Sequence, residues 1–340
     1  MVRATTAQGS RAPASPAAVG RSASRIGRVP WQALWIGLAV IWGSSFLLMK
    51  LGLEALHPMQ IATLRIGIAA VTLLVLSAAL RTRLPRDAGT WGLLAICSFF
   101  LTTLPFTAFV VAETRISSGL TGLANAFTPV ATVLFALLLL PSDRLTTRKL
   151  VSVLLGFVGV VLIAQPWTTE QGPDLLGIAI AVLGAASYGV GWTLNRRLLG
   201  QREVPGLAHP TALMITGLPM SVLALLGWAA IDGSSPVALH GSAEALPLAL
   251  VAVAVLGVVG TGVAYILQFE VVRAVGPTVA ATVTYLIPVV AVTLGVVVLG
   301  EHVGPWQLAG AAIVIGAGVL VQAKPRVRPR RGSAPAASGS

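Results

Sequence analysis

Apolar residues in this chain gather in long blocks, and the short segments between them hold most of the charged residues. Ten blocks can be marked, over residues 31–51, 59–80, 90–112, 117–140, 149–165, 174–195, 210–231, 246–269, 278–299 and 305–322. At about 1.5 Å rise per residue, a block of about 20 residues spans a hydrocarbon core of about 30 Å. Backbone groups in lipid must bond within the chain, so each block predicts a transmembrane helix. A β-barrel would instead show alternating segments of about 10 residues, and the sequence has none. The fifth and tenth blocks are the shortest. The fourth and ninth contain Pro129 and Pro288, which free a backbone carbonyl and predict a kink or hinge in each.

The two ends differ from this pattern. Residues 1–30 are rich in Ala, Ser, Gly, Pro and Arg and hold no acid, and residues 323–340 are basic and rich in Pro and Ser. Both read as disordered cytoplasmic tails. An Arg/Ser-rich, acid-free start also fits an organellar transit peptide. The block that follows is long enough to stay in the membrane, and no clear small-residue cleavage site separates it from the rest.

Composition agrees with the pattern. Apolar residues are 56% of the chain and charged residues 10%, against about a quarter charged in soluble domains. The net charge of +12 does not indicate nucleic acid, because the basic residues flank the apolar blocks as cytoplasmic charges do. With the N-terminus inside, 20 of the 23 basic residues fall on the inner side, and Arg115 alone lies in an outer loop. The expected topology is ten spans with both termini cytoplasmic, in an inner (plasma) membrane that the Ala, Gly and Arg usage suggests is bacterial. The single cysteine, Cys97, lies within a block and reads as a small buried hydrophobe.

An internal repeat emerges when residues 31–165 are slid along 174–322. Ala39-Val40-Ile41-Trp42-Gly43-Ser44-Ser45-Phe46 meets Ala181-Val182-Leu183-Gly184-Ala185-Ala186-Ser187-Tyr188. Phe127-Thr128-Pro129-Val130 meets Leu286-Ile287-Pro288-Val289, and Asp143-Arg144-Leu145 meets Glu301-His302-Val303. Each half has an odd number of spans, so the second enters the membrane upside down. The fold class is therefore an all-α membrane protein of ten transmembrane helices in two inverted five-helix repeats. Such repeats are an architecture of secondary transporters, with the solute near the midplane, although a channel can share it.

Over about residues 31–322 the chain resembles EamA-type members of the drug/metabolite transporter superfamily. The resemblance rests on Trp42-Gly43-Ser44-Ser45-Phe46 with Lys50, Pro58 and Arg65, Ser117-Ser118-Gly119, and Pro129. In the second half it rests on Ser187-Tyr188, Val272-Arg273-Ala274-Val275-Gly276-Pro277, Pro288 and Gly300-Glu301. It implies ten-helix carriers, many of them exporters of amino acids, other metabolites or toxic compounds, and no particular substrate. Pro141-Ser142-Asp143 departs from the usual Gly-Glu turn in the first half, which leaves the end of the fourth helix open.

Candidate solute-binding residues follow from polar and aromatic groups within the blocks. Lys50 and Arg65 stand out among the charges placed inside the spans or at their margins. A charge at the bilayer centre costs about 2.5–3.5 kcal/mol on insertion scales. Attraction of an anionic solute offsets that cost in one reading; snorkelling or a structural pairing offsets it in the other. Trp42, Ser45 and Phe46 lie on the first helix; Ser187 and Tyr188 on the sixth match Ser45 and Phe46, and Trp192 falls opposite Lys50. Asn125 and Thr128 lie on the fourth helix, Tyr265 and Gln268 on the eighth, and Thr284 and Tyr285 on the ninth. Aromatics with a few polar groups suit an amphipathic solute; helix–helix contact is the plainer reading for the Ser and Thr residues. Glu113 and Glu270, at the margins of the third and eighth helices, are the nearest candidates for a proton relay. Ordinary interfacial charge explains both, so the sequence gives proton coupling no support.

The expected function is a secondary transporter, an exporter before an uptake carrier, for a small metabolite or amphipathic compound that is amino-acid-like, anionic or drug-like. An enzyme would need a catalytic cluster at membrane depth, and none is present. A non-transporting scaffold or sensor is the remaining alternative. No metal site and no cofactor is expected. The expected partners are the lipid bilayer and a small solute, without nucleic acid; a homodimer is compatible with the sequence.

Overall fold

A computed structural model describes residues 29–141, 145–165, 174–202, 204 and 206–322. Most of the two expected tails, and Ser142-Asp143-Arg144 of the unusual turn, lie outside the described residues. Ten apolar helices form the body: α1 Trp31–Leu53, α2 Pro58–Ala79, α3 Ala88–Glu113, α4 Ser118–Leu139, α5 Thr147–Ala164, α6 Leu175–Leu199, α7 Ala208–Asp232, α8 Leu246–Val275, α9 Ala281–Leu299 and α10 Pro305–Gln322. No strand occurs among the described residues. An even number of helices puts Trp31 and Gln322, the ends of the described bundle, on the same side.

Local chemistry sets many of the boundaries. Asp87, Ser117, Thr146 and Asp174 each accept a first-turn backbone N–H, from Thr90, Leu120, Lys149 and Gly177 respectively, which satisfies a donor the helix cannot. At α2, His57 and Gln60 form a reciprocal capping box with Pro58 in the first turn. Gly233 and Gly300 end α7 and α9 at φ of 70° and 65°, a conformation open to glycine.

The prolines start segments rather than bending continuous helices. The α-helix of α4 stops at Asn125 and restarts at Thr128, so Pro129 falls in the first turn of the second segment, where its missing N–H costs nothing. In α9 a tight 3₁₀ stretch, Ala281–Tyr285, precedes Ile287–Leu299, and Pro288 falls in that first turn. Two further irregularities match across the halves. α3 widens into a π-helix over Phe99–Thr103, and α8 does so over Val258–Val263. Helical geometry after α8 continues through Ala280, across the turn expected at 270–277.

Packing obeys the inverted repeat. α1 lies against α8 and α9, as α6 lies against α3 and α4. α2 packs on α7 and α8, while α3 packs on α7; α4 packs on α9 and α5 on α10. Exchanging the two halves maps this set of pairs onto itself. The core is shared between halves, with Phe46, Met49, Phe109 and Val130 beside Val253, Leu256 and Ile287. At the α5–α10 contact a Cβ on Gly159 would stand 2.7 Å from the Gly310 carbonyl oxygen, so small residues set the approach of the two backbones.

Candidate solute-binding cavity

A cavity of about 590 Å³ lies between the halves. Nine residues singled out in the sequence line it: Trp42, Ser45, Phe46, Arg65, Asn125, Tyr188, Trp192, Tyr265 and Gln268. Pro129 and Thr284 join them, and so do Met49, Phe106, Phe109, Thr132 and Thr261, which the sequence reading did not single out. The breaks position several of these groups. The interruption in α4 follows Asn125, and the π-helix of α8 carries Gly260 and Thr261 on the wall. Such π-helical turns often occur at functional sites.

Among the described residues, Arg65 is the one charged residue lining this cavity. It is 7% exposed. Its guanidinium carbon sits 3.8 Å from the centre of the Phe106 ring, in cation–π range. Its Nε donates to Thr261 Oγ1 at 3.4 Å, and one Nη lies 3.8 Å from Met49 Sδ. These are weak or neutral partners, and no carboxylate pairs with Arg65 among the described residues. On the same lining, Thr128 Oγ1 donates to the Asn125 side-chain oxygen at 3.2 Å. An aromatic wall, one buried cation and a few amides and hydroxyls suit a solute with an apolar body and an anionic head.

Two candidates lie elsewhere. Lys50 donates from Nζ to the main-chain oxygen of Glu113 at 2.7 Å. It lines a separate cavity of about 310 Å³ with Glu54, His57, Glu113 and His240. Tyr285 turns toward α10, where its ring faces Gly318. Pro288 starts the straight part of α9 and is buried outside the large cavity.

The large cavity is closed at one end. Met49 on its lining is 1% exposed, whereas Trp192, toward the end that holds Trp31 and Gln322, is 39% exposed. Polar links seal the far end. Glu301 accepts from Ser118 N, Ser118 Oγ and Gly119 N at 2.7, 3.0 and 2.9 Å, so a residue from the second half caps α4 in the first. Gln60 donates to the carbonyls of Pro236 and Ala238, and the backbone N–H of His240 donates to Ala55 O. His57 stacks on Trp228 with ring centres 3.6 Å apart, and His240 packs on both rings. Partial burial holds the His57 imidazole below its ordinary pKa, as does neighbouring His240, with Asp232 opposing them. On the same side the Gly177 N–H, and then the Arg115 guanidinium, hold the Asp174 carboxyl below the usual range.

Comparison with known proteins gives the same architecture. The EamA-like transporter family model matches residues 29–165 and 175–322. The inner membrane transporter YedA of Escherichia coli K12, itself uncharacterized, is 24% identical over 310 residues, covering 88% of this chain and 95% of its own. A probable terminal-alkyne amino-acid exporter of Streptantibioticus cattleyicolor is 25% identical, with 89% and 98% covered. A probable amino-acid metabolite efflux pump of Escherichia coli K12 is 22% identical, with 82% and 90% covered. One crystal structure aligns with a TM-score of 0.56 at 18% identity, covering 85% of this chain and 96% of that one, and supports the fold.

Proposed function

The chain belongs to the EamA-like transporter family, and from that premise we propose that it is a secondary transporter exporting a small amphipathic carboxylate, amino-acid-like in kind, by alternating access. One observation carries the substrate class: a buried Arg65, faced by aromatic rings and without a carboxylate partner, on the wall of the large cavity. A carboxylate on the solute supplies the missing anion, and its apolar body meets Trp42, Phe46, Phe109 and Tyr188. The names of the exporter and efflux-pump relatives point the same way.

The direction follows from placing the termini in the cytoplasm, as the basic residues indicate. The cavity then opens to the cytoplasm and is sealed toward the outside. Rocking of one half against the other closes the mouth near Trp192 and parts the contacts around Glu301. The solute crosses unchanged.

Metabolite content inside and outside cells with and without this gene tests the proposal, followed by flux of the leading solute into vesicles holding the protein. A carboxylate that builds up inside the deletion strain and crosses only protein-containing vesicles is the expected result. A solute depleted inside the deletion strain would make the protein an uptake carrier. No flux for any solute, with protein present in the vesicles, would leave a scaffold.

A further inference from the structure

Glu113, the last residue of α3, is 0% exposed, and neither carboxylate oxygen has a hydrogen-bond partner among the described residues. That differs from the interfacial charge expected from its place in the sequence. Glu113 is one of the residues around the 310 Å³ cavity at that end of α3. Lys50 spends its short hydrogen bond on the main-chain oxygen of the same residue. A buried carboxylate without hydrogen bonds needs either an ionic partner or a proton.

Groups facing it from the surrounding elements define its field. Lys50 and Glu54 come from α1, His57 and Arg65 from α2, and His240 from the segment before α8. Glu301 comes from the turn before α10. Arg65 links this place to the large cavity. Phe106, Phe109 and Glu113 recur at helical spacing along α3, which puts them on one face. The first lies under the Arg65 guanidinium, the second lines the large cavity, and the third lines the small one. Seven residues of helix separate Phe106 from Glu113, about 10 Å along the axis.

We infer that Glu113 is a proton-binding site of the transporter, reached through the small cavity, and that its proton uptake is linked to occupation of Arg65 by a carboxylate. In the empty carrier the Arg65 charge favours the Glu113 carboxylate. A solute carboxylate seated on Arg65 cancels that charge, and one proton from water in the small cavity then adds to a Glu113 oxygen. Binding is reciprocal: the proton in turn favours the solute. The link rests on the carboxylate reading of the large cavity, whereas the proton site rests on Glu113 alone.

Infrared difference spectroscopy on the purified full-length protein, titrated through the neutral pH range, reads carboxyl protonation without any solute. The expected result is a carboxylic-acid band that grows as pH falls and is missing from Glu113→Gln. In Arg65→Gln the same band keeps its intensity but titrates at higher pH. The gain in proton affinity is about tenfold for a unit charge about 10 Å away at an effective dielectric of about 20. Glu113→Asp keeps an acid and must restore a band, which separates loss of the site from loss of the fold. If Glu113→Gln retains every titrating carboxyl band of the parent, the proton site is refuted. If the band belongs to Glu113 but Arg65→Gln leaves its midpoint in place, the link is refuted. A transport assay that finds a neutral or cationic solute would sink the carboxylate reading while leaving this titration untouched.

Discussion

Arg65 carries a charge into a cavity where no carboxylate among the described residues pairs with it, and under the proposed function solute binding offsets the cost of that burial. Arg65→Gln is therefore expected to leave protein in the membrane at parental levels while weakening solute affinity. The loss of a charge-assisted contact worth about 1.5–3 kcal/mol corresponds to about 10- to 100-fold. Flux in vesicles and membrane abundance, measured together, check it; a variant that loses the folded protein would assign Arg65 to structure. His57 gives a pH prediction. Its folded pKa lies below the ordinary value, so the unfolded ring takes its proton first as pH falls. Stability is full above about pH 6.5 and declines as pH falls toward the folded pKa. Melting curves from neutral to acidic pH should show this decline, and His57→Asn, which keeps a capping side chain, should flatten it. At this scale the sequence revealed which residue types matter but not how they turn. Transmembrane helices are apolar on every side, so periodicity does not say which face meets a partner helix and which meets lipid. Lys50 was placed correctly along α1, yet it turns to a different cavity from Trp42 and Phe46. Tyr285 likewise faces α10 while its neighbour Thr284 lines the large cavity.

At the scale of elements, the contact between Glu301 and the start of α4 joins two motifs that the sequence presents 180 residues apart. Glu301→Ala removes three hydrogen bonds to an α-helix N-terminus. It is expected to cost about 1–3 kcal/mol, read as a lower melting temperature of the detergent-solubilised protein. A Tm equal to that of the parent would show the cap to be dispensable. Helix number and approximate ends were legible because length and charge both constrain them. The restart of α4 and α9 at their prolines was half legible: a kink was expected, and a break with a new first turn was found. The π-helical stretches were hidden. They arise where a backbone adjusts to its neighbours, as at Phe100, whose carbonyl accepts from Ser187 at 2.8 Å, and no residue type announces them.

Over the whole molecule, the exchange of halves that maps helix pairs onto one another was legible in the repeat, since an odd number of spans dictates inversion. The state of the cavity was not, because both states of such a carrier share one sequence. That state is open to test by access. Thr284→Cys should react with a membrane-impermeant thiol reagent supplied at the end bearing Trp31 and Gln322, and Met49→Cys should not, because Thr284 is partly exposed and Met49 is 1% exposed. Native Cys97 is buried and stays silent in the same assay. Equal labelling at both positions would contradict the closed end. Under the proposed alternating access, the closure also makes the carrier's affinity depend on the side from which solute is offered. Solute on the open side meets a ready site, whereas solute on the other side must first wait for the clasp around Glu301 to part. For every 1.4 kcal/mol or so by which the opposite form lies higher, solute from that side binds about tenfold more weakly, so the resting shape alone biases the protein as a valve.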